Sequence, residues 1–190
     1  MLQGRDVTSL ERRTFLGAGL MFVLGLPRRV WSQGFRALRY RSLARPVLVP
    51  LEEVSTPWRA KLFVADAVSL PSAEKPNQPI RISGILVRTA TGDIGPDQFK
   101  AVCAVCPHEQ CDVDFIADPG QLAADIVAEI GVVKDPVYLC PCHNSTFKAQ
   151  DGERLGGPAP RGLYRFRVTR ISEAAVEIGE VEEDALIFTP

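Results

Sequence analysis

Short apolar runs separated by turn-forming residues recur along most of this chain. Pro46–Leu51 and Lys61–Val64 are β-type runs, and Ile80–Arg88 is a longer one in which Ile80, Ile82, Ile85 and Val87 are apolar. Gly84 within that run suggests a bulge or bend. Phe99–Val105 and Val137–Cys140 add two further runs. In Leu163–Arg170, Arg165 and Arg167 alternate with Tyr164, Phe166 and Val168, the period of two expected of a half-buried strand. Ala174–Ile178 and Ala185–Phe188 complete the β-type set. One stretch has a helical period instead: Asp118-Pro-Gly opens it, Leu122, Ile126 and Ile130 line one face, and Gly131 is a natural stop. Pro71, Pro76 and Pro79 mark residues 65–79 as an exposed loop. The pattern predicts a mostly antiparallel β domain with a small loop-built subdomain inserted at about residues 101–162.

The N-terminus follows another pattern. Glu11-Arg12-Arg13-Thr14 leads into an unbroken apolar run from Phe15 to Leu26, closed by Pro27-Arg28-Arg29. As a helix this run reaches about 18 Å, short of the ~30 Å hydrocarbon core of a bilayer. Paired arginines before such a run resemble a twin-arginine export signal. Residues 1–27 are therefore expected to be a hydrophobic signal or membrane-anchor helix. Residues 28–46 are expected to be a basic linker, with Trp31, Phe35 and Leu38 spaced for a helix lying on a membrane surface. The body of the protein is then 47–190. Export would place it at the outer, periplasmic face of a bacterial cytoplasmic membrane.

Composition changes this picture little. A formal net charge of −1 gives no reason to expect nucleic-acid binding. Fifteen Pro and fifteen Gly favour a turn-rich β protein over a helical bundle. The acidic stretch near the end (Glu173, Glu177, Glu180, Glu182, Glu183, Asp184) reads as a solvated face.

Cysteine and histidine carry the candidate chemistry. The chain has five Cys and two His. Both histidines lie in a pair of motifs, Cys106-Pro-His108-Glu-Gln-Cys111 and Cys140-Pro-Cys142-His143-Asn-Ser145. Cys-x-His and Cys-x-x-His each place one thiolate and one imidazole at the tip of a turn. Two such tips facing each other can enclose a binuclear [2Fe–2S] centre, with Cys106 and Cys140 on one iron and His108 and His143 on the other. Neutral imidazoles in place of thiolates ease reduction, giving potentials of about −150 to +300 mV against about −400 mV for plant-type ferredoxins. A single tetrahedral zinc is the alternative for the same four residues. It would leave Cys111, Cys142 and the residues after His143 unexplained. Cys103 lies in an apolar run and reads as a small buried hydrophobe.

These motifs resemble the Rieske subunit of cytochrome bc-type quinol oxidoreductases, over about residues 80–170. The matching residues are Cys106, His108, Cys111, Cys140, Cys142, His143 and Ser145, then Gly157-Pro158-Ala159-Pro160 as a proline loop over the cluster. The resemblance implies an antiparallel β-sandwich with an inserted cluster-binding subdomain. It also implies a Cys111–Cys142 disulfide clamping the two turns, and an oxidising compartment to keep it. Ser145 would hydrogen-bond a cluster sulfur and raise the potential. His108 and His143 would couple electron and proton transfer, taking both from quinol and passing the electron to a c-type cytochrome, with a cytochrome b subunit as neighbour in the membrane. Other Rieske roles share these motifs: the small subunit of a molybdenum oxidase such as arsenite oxidase, or a free periplasmic electron carrier.

Three positions depart from the bc-type pattern. Glu109-Gln110 stands where Leu-Gly is usual, Phe147 stands where a Tyr is usual, and Asn144 replaces a Gly. Phe147 lacks the hydroxyl that would reach a cluster sulfur, which predicts a lowered potential. Asn144 tolerates positive φ, so it is expected to serve the same turn.

Overall fold

The computed structural model describes residues 38–188. The expected export signal or anchor (1–27) and most of the expected basic linker lie outside them. Among the described residues no helix is long and apolar enough to cross a membrane.

Six strands form the larger antiparallel sheet: β1 (Tyr40–Pro50), β2 (Ala60–Val68), β3 (Pro79–Arg88), β4 (Phe99–Cys103), β9 (Arg165–Ile171) and β10 (Ala175–Glu182). Their order is β1-β10-β9-β4-β3-β2. Between β4 and β9 the chain makes a second antiparallel sheet from four three-residue strands, β5 (Asp114–Ile116), β6 (Val137–Leu139), β7 (Thr146–Lys148) and β8 (Arg154–Gly156), in sequential order. The expected insertion boundary at 101 thus falls inside β4, which belongs to the larger sheet.

β3 and β4 form the wall between two cores. Ile82 and Leu86 point into the core of the larger sheet with Phe99, Ala101 and Cys103. Ile85 and Val87 point the other way with Val102 and Ala104, against Tyr138, Phe147 and Leu163 of the inserted region. A strand buried on both faces reads as a near-continuous apolar run, which is how Ile85-Leu86-Val87 reads. Each fully buried Leu, Ile or Phe contributes about 1.5–3 kcal/mol, so this shared wall is what fixes the insertion to its base.

Several expected elements differ. β1 starts at Tyr40, inside the basic linker expected to run to residue 46. Its arginines are tolerated because they reach carboxylates: Arg41 pairs with Glu183, just past the end of β10, at 3.1 Å, and Arg45 with Asp66 of β2 at 2.9 Å. β2 continues through Val68, so the loop before β3 is shorter than expected; Ala65 and Ala67 are small enough to sit under the sheet. Gly84 makes no bulge, since the β2–β3 register runs unbroken across it. The glycine instead leaves room for its cross-strand partner Phe63, whose ring would lie 2.3 Å from a Cβ at 84. The helical segment after Asp118 is two pieces. Asp118 caps a 3-10 turn at Pro119–Gln121 by accepting from the Gly120 N–H, and α2 (here the second helix, Ala124–Ile130, after α1 at Leu51–Val54) follows and stops at Gly131, φ 79°. Ala185–Phe188 is a single helical turn, α3, and not a strand.

The middle of the acidic C-terminal stretch lies in strand β10, where its carboxylates meet arginines: Glu177 with Arg170 (2.8 Å) and Glu180 with Arg167 (2.7 Å). Glu182 is different. It is buried, pairs with Arg161, and accepts the Arg165 N–H at 3.1 Å. A buried carboxylate needs such partners, and these two lie where the chain returns from the insertion.

Candidate metal centre

The two motifs fold into two turns whose hydrogen bonds match position by position. In the first, the Cys106 N–H donates to the Cys111 carbonyl (2.8 Å) and the Gln110 N–H to the Cys106 carbonyl (3.0 Å). In the second, the Cys140 N–H donates to the Ser145 carbonyl (2.8 Å) and the Asn144 N–H to the Cys140 carbonyl (3.0 Å). The fifth residue of each turn is left-handed, Gln110 at φ 59° and Asn144 at φ 58°. Asn144 therefore does what was expected of it. Gln110 adopts the same conformation with a side chain less suited to it.

The turns bring the candidate ligands together. Cys106 and Cys140 are buried, with their thiols in hydrogen-bonding contact. Burial pushes the Cys106 thiol up, against the His108 backbone N–H and the Ser145 hydroxyl, which both donate to its sulfur; the Cys140 thiol adds to the upward push. The His108 and His143 rings stand edge to face, with centroids 4.9 Å apart. Cys111 and Cys142 form the disulfide that the resemblance implied, joining the turns with Cα atoms 6.5 Å apart. Cys103 stays away from this group. It is buried in β4, and its thiol is pushed up to about 12 by burial and then by Glu182, with Arg161 opposing.

The proline loop closes over the second turn. Gly157, at φ 83°, lies so close that a Cβ there would be 2.4 Å from the Ser145 Cα. The buried Ala159 N–H donates to the Ser145 Oγ at 3.1 Å. Ser145 therefore joins loop and sulfur: its oxygen accepts from Ala159 while its hydroxyl reaches Cys106. The Gly157 N–H donates to Glu129 Oε1 at 2.8 Å, a contact from α2 that nothing in the spacing of the chain signalled. Phe147 is buried in register with Tyr138. The Tyr138 hydroxyl is itself buried without a hydrogen-bond partner, and burial pushes the phenol up. Glu109 Oε2 stands 3.7 Å from His143 Nδ1.

One atom tests whether these residues suit a metal cluster. His108 Nδ1 is buried with no hydrogen-bond partner, an expensive state for an imidazole nitrogen unless something binds it. Together with two buried, facing thiols, one of them reached by N–H and O–H donors, and the neighbouring His143 ring, it gives a set of two sulfurs and two nitrogens that could hold a [2Fe–2S] cluster. A pair of clamped turns bearing that donor set, inserted in an antiparallel β domain, defines a class of iron–sulfur electron-transfer protein. The family model for the Rieske [2Fe-2S] domain matches residues 63–167, and the chain belongs to that family. Its cofactor is the [2Fe–2S] cluster, and it is an electron-transfer component of oxidoreductases.

No curated protein matches the chain. Among solved structures, it is similar to a chain of a hyperthermophilic respiratory Complex III at 16% identity and TM-score 0.39, covering 68% of this chain and 71% of that one. It is also similar to the soluble domain of the Rieske protein II (soxF) from Sulfolobus acidocaldarius at 19% identity and TM-score 0.32, covering 76% of this chain and 68% of that one.

Proposed function

We propose that the chain is the quinol-oxidising subunit of a bc-type complex, with Cys106, His108, Cys140 and His143 as the cluster ligands. It would lie at the outer face of the cytoplasmic membrane, reached by the twin-arginine route, beside cytochrome b and a c-type cytochrome. The observation that carries the reading is the orientation of the donors. The two thiols are buried, whereas the His143 side chain is 45% exposed. The imidazole side therefore faces whatever docks. The bound cluster supplies one-electron redox chemistry in the Rieske potential range. An imidazole nitrogen that has given up its proton would accept a hydrogen bond from the quinol hydroxyl and take up that proton as the electron leaves. Ser145 holds its hydroxyl on Cys106, the Cys111–Cys142 disulfide holds the turns together, and the proline loop keeps water from the sulfurs.

The test is an EPR spectrum of the reduced protein in native membranes, with and without a quinone-site inhibitor. A rhombic [2Fe–2S] signal that shifts with inhibitor supports the reading. A signal blind to it favours a second reading, a relay subunit or free carrier that never meets quinol, for which Glu109 at the docking rim already speaks. His143→Ala protein that kept the parent spectrum would overturn the ligand assignment.

A further inference from the structure

We infer that Glu109 is an electrostatic selector at the electron-exit tip, lowering the cluster's reduction potential and favouring a cationic oxidant. The inference rests on the ligand assignment above. Because the two turns match bond for bond, Glu109 holds in the first the place that His143 holds in the second, each three residues after its cysteine. The two side chains meet across the site at 3.7 Å, and ligand atoms of His108, Glu109 and His143 all lie within 4.8 Å of one another. The Glu109 side chain is 61% exposed, so its carboxylate is open to a docking protein beside the ligand imidazole.

No basic residue near it in the chain offsets this charge. Residues 101–133 contain no Lys or Arg, but hold Glu109, Asp112, Asp114, Asp118, Asp125 and Glu129. Among the described residues no Lys or Arg forms an ion pair with Glu109. A fixed negative charge this close opposes the arrival of an electron, and so favours the oxidised cluster. The same charge attracts a cationic partner face and repels an anionic one, both effects weakening as salt screens them. The electron acceptor is therefore a protein that presents a cationic surface around its own redox group.

Two inorganic oxidants of opposite charge test this on the full chain with its cluster. Tris(phenanthroline)cobalt(III) and ferricyanide each take one electron from the reduced cluster, becoming cobalt(II) and ferrocyanide. In Glu109→Gln, the midpoint potential from an EPR-monitored titration should rise, with the reduced spectrum unchanged. Oxidation by the cobalt cation should slow about two- to fivefold at low salt, oxidation by ferricyanide should quicken, and both differences should shrink at high salt. Glu109→Asp should keep the parent behaviour, and Asp118→Asn, which preserves its cap, should leave the midpoint unchanged and move the rates far less than Glu109→Gln. An unmoved midpoint in Glu109→Gln, or rates that move in the same direction with both oxidants, would overturn the inference. Since neither oxidant is a quinone, a failure of quinol docking leaves these readouts intact, so the two ideas fail separately.

Discussion

The two cluster turns share one backbone and differ in almost everything that holds it in place. Both close with the same pair of hydrogen bonds and the same left-handed fifth residue. The second turn joins two paired strands, β6 and β7, and is covered by the Gly157–Pro160 loop. The first follows β4 and has an isolated bridge, Val105 to Asp112, across its base. The sixth position shows the difference in roles: Ser145 reaches toward a sulfur and the covering loop, while Cys111 is spent on the disulfide. One covalent bond ties the first turn directly to the second. Positioning of the site is asymmetric although its backbone is not.

Breaking that bond should have the largest effect. The disulfide closes a loop across a sequence separation of 31, for which chain entropy gives about 3–4 kcal/mol. The Cys111→Ser/Cys142→Ser double variant should lose about that much stability in a denaturant titration. Its cluster should bleach faster than the parent's; an unchanged bleaching rate would show that the first turn stands without the second. Gly157→Ala attacks the other side. A methyl group at φ 83° and 2.4 Å from the Ser145 Cα must push the loop off the second turn, costing about 3 kcal/mol. Thermal unfolding measures this, and the first turn should be unaffected once the protein is folded.

Much of the site was legible in the sequence because ligand chemistry demands particular residue types at particular spacings. The spacing brought out Cys106, His108, Cys140 and His143 as candidates, which the structure gathers on two adjoining turns, and the resemblance implied the Cys111–Cys142 disulfide that joins them. What was hidden depends on partners distant in the chain. Glu129 reaching the Gly157 N–H, and Glu182 fixing Arg161 and Arg165, are contacts that no local pattern encodes. In the fold, the apolar runs located most of the strands, but not their extents. β1 begins within an arginine-rich stretch because its charges find carboxylates across the sheet. Ala185–Phe188 could be read as strand or helix, since four apolar residues carry no decisive period.

Ser145→Ala is expected to have a middle-sized effect. It leaves the buried Ala159 N–H without its acceptor, a loss of about 2 kcal/mol. It also removes a donor from the Cys106 sulfur, so the midpoint potential should fall. A melt and a redox titration on one preparation separate the two consequences. If stability falls while the potential holds, the serine serves the proline loop alone.

The smallest expected effect compares the turns most directly. Gln110 and Asn144 occupy equivalent left-handed positions. Asparagine accepts this conformation readily, whereas for other side chains it costs about 1–2 kcal/mol. Glycine meets no such penalty, though its freer unfolded chain returns part of the gain. Gln110→Gly should therefore relieve about 0.5–1 kcal/mol of backbone strain, set against the loss of the Gln110 side chain's own interaction, and Asn144→Gly should leave stability nearly unchanged. Paired denaturant titrations resolve the difference. Equal responses would mean that the two turns are strained alike, so that the difference between them lies in what packs around each and not in its own backbone.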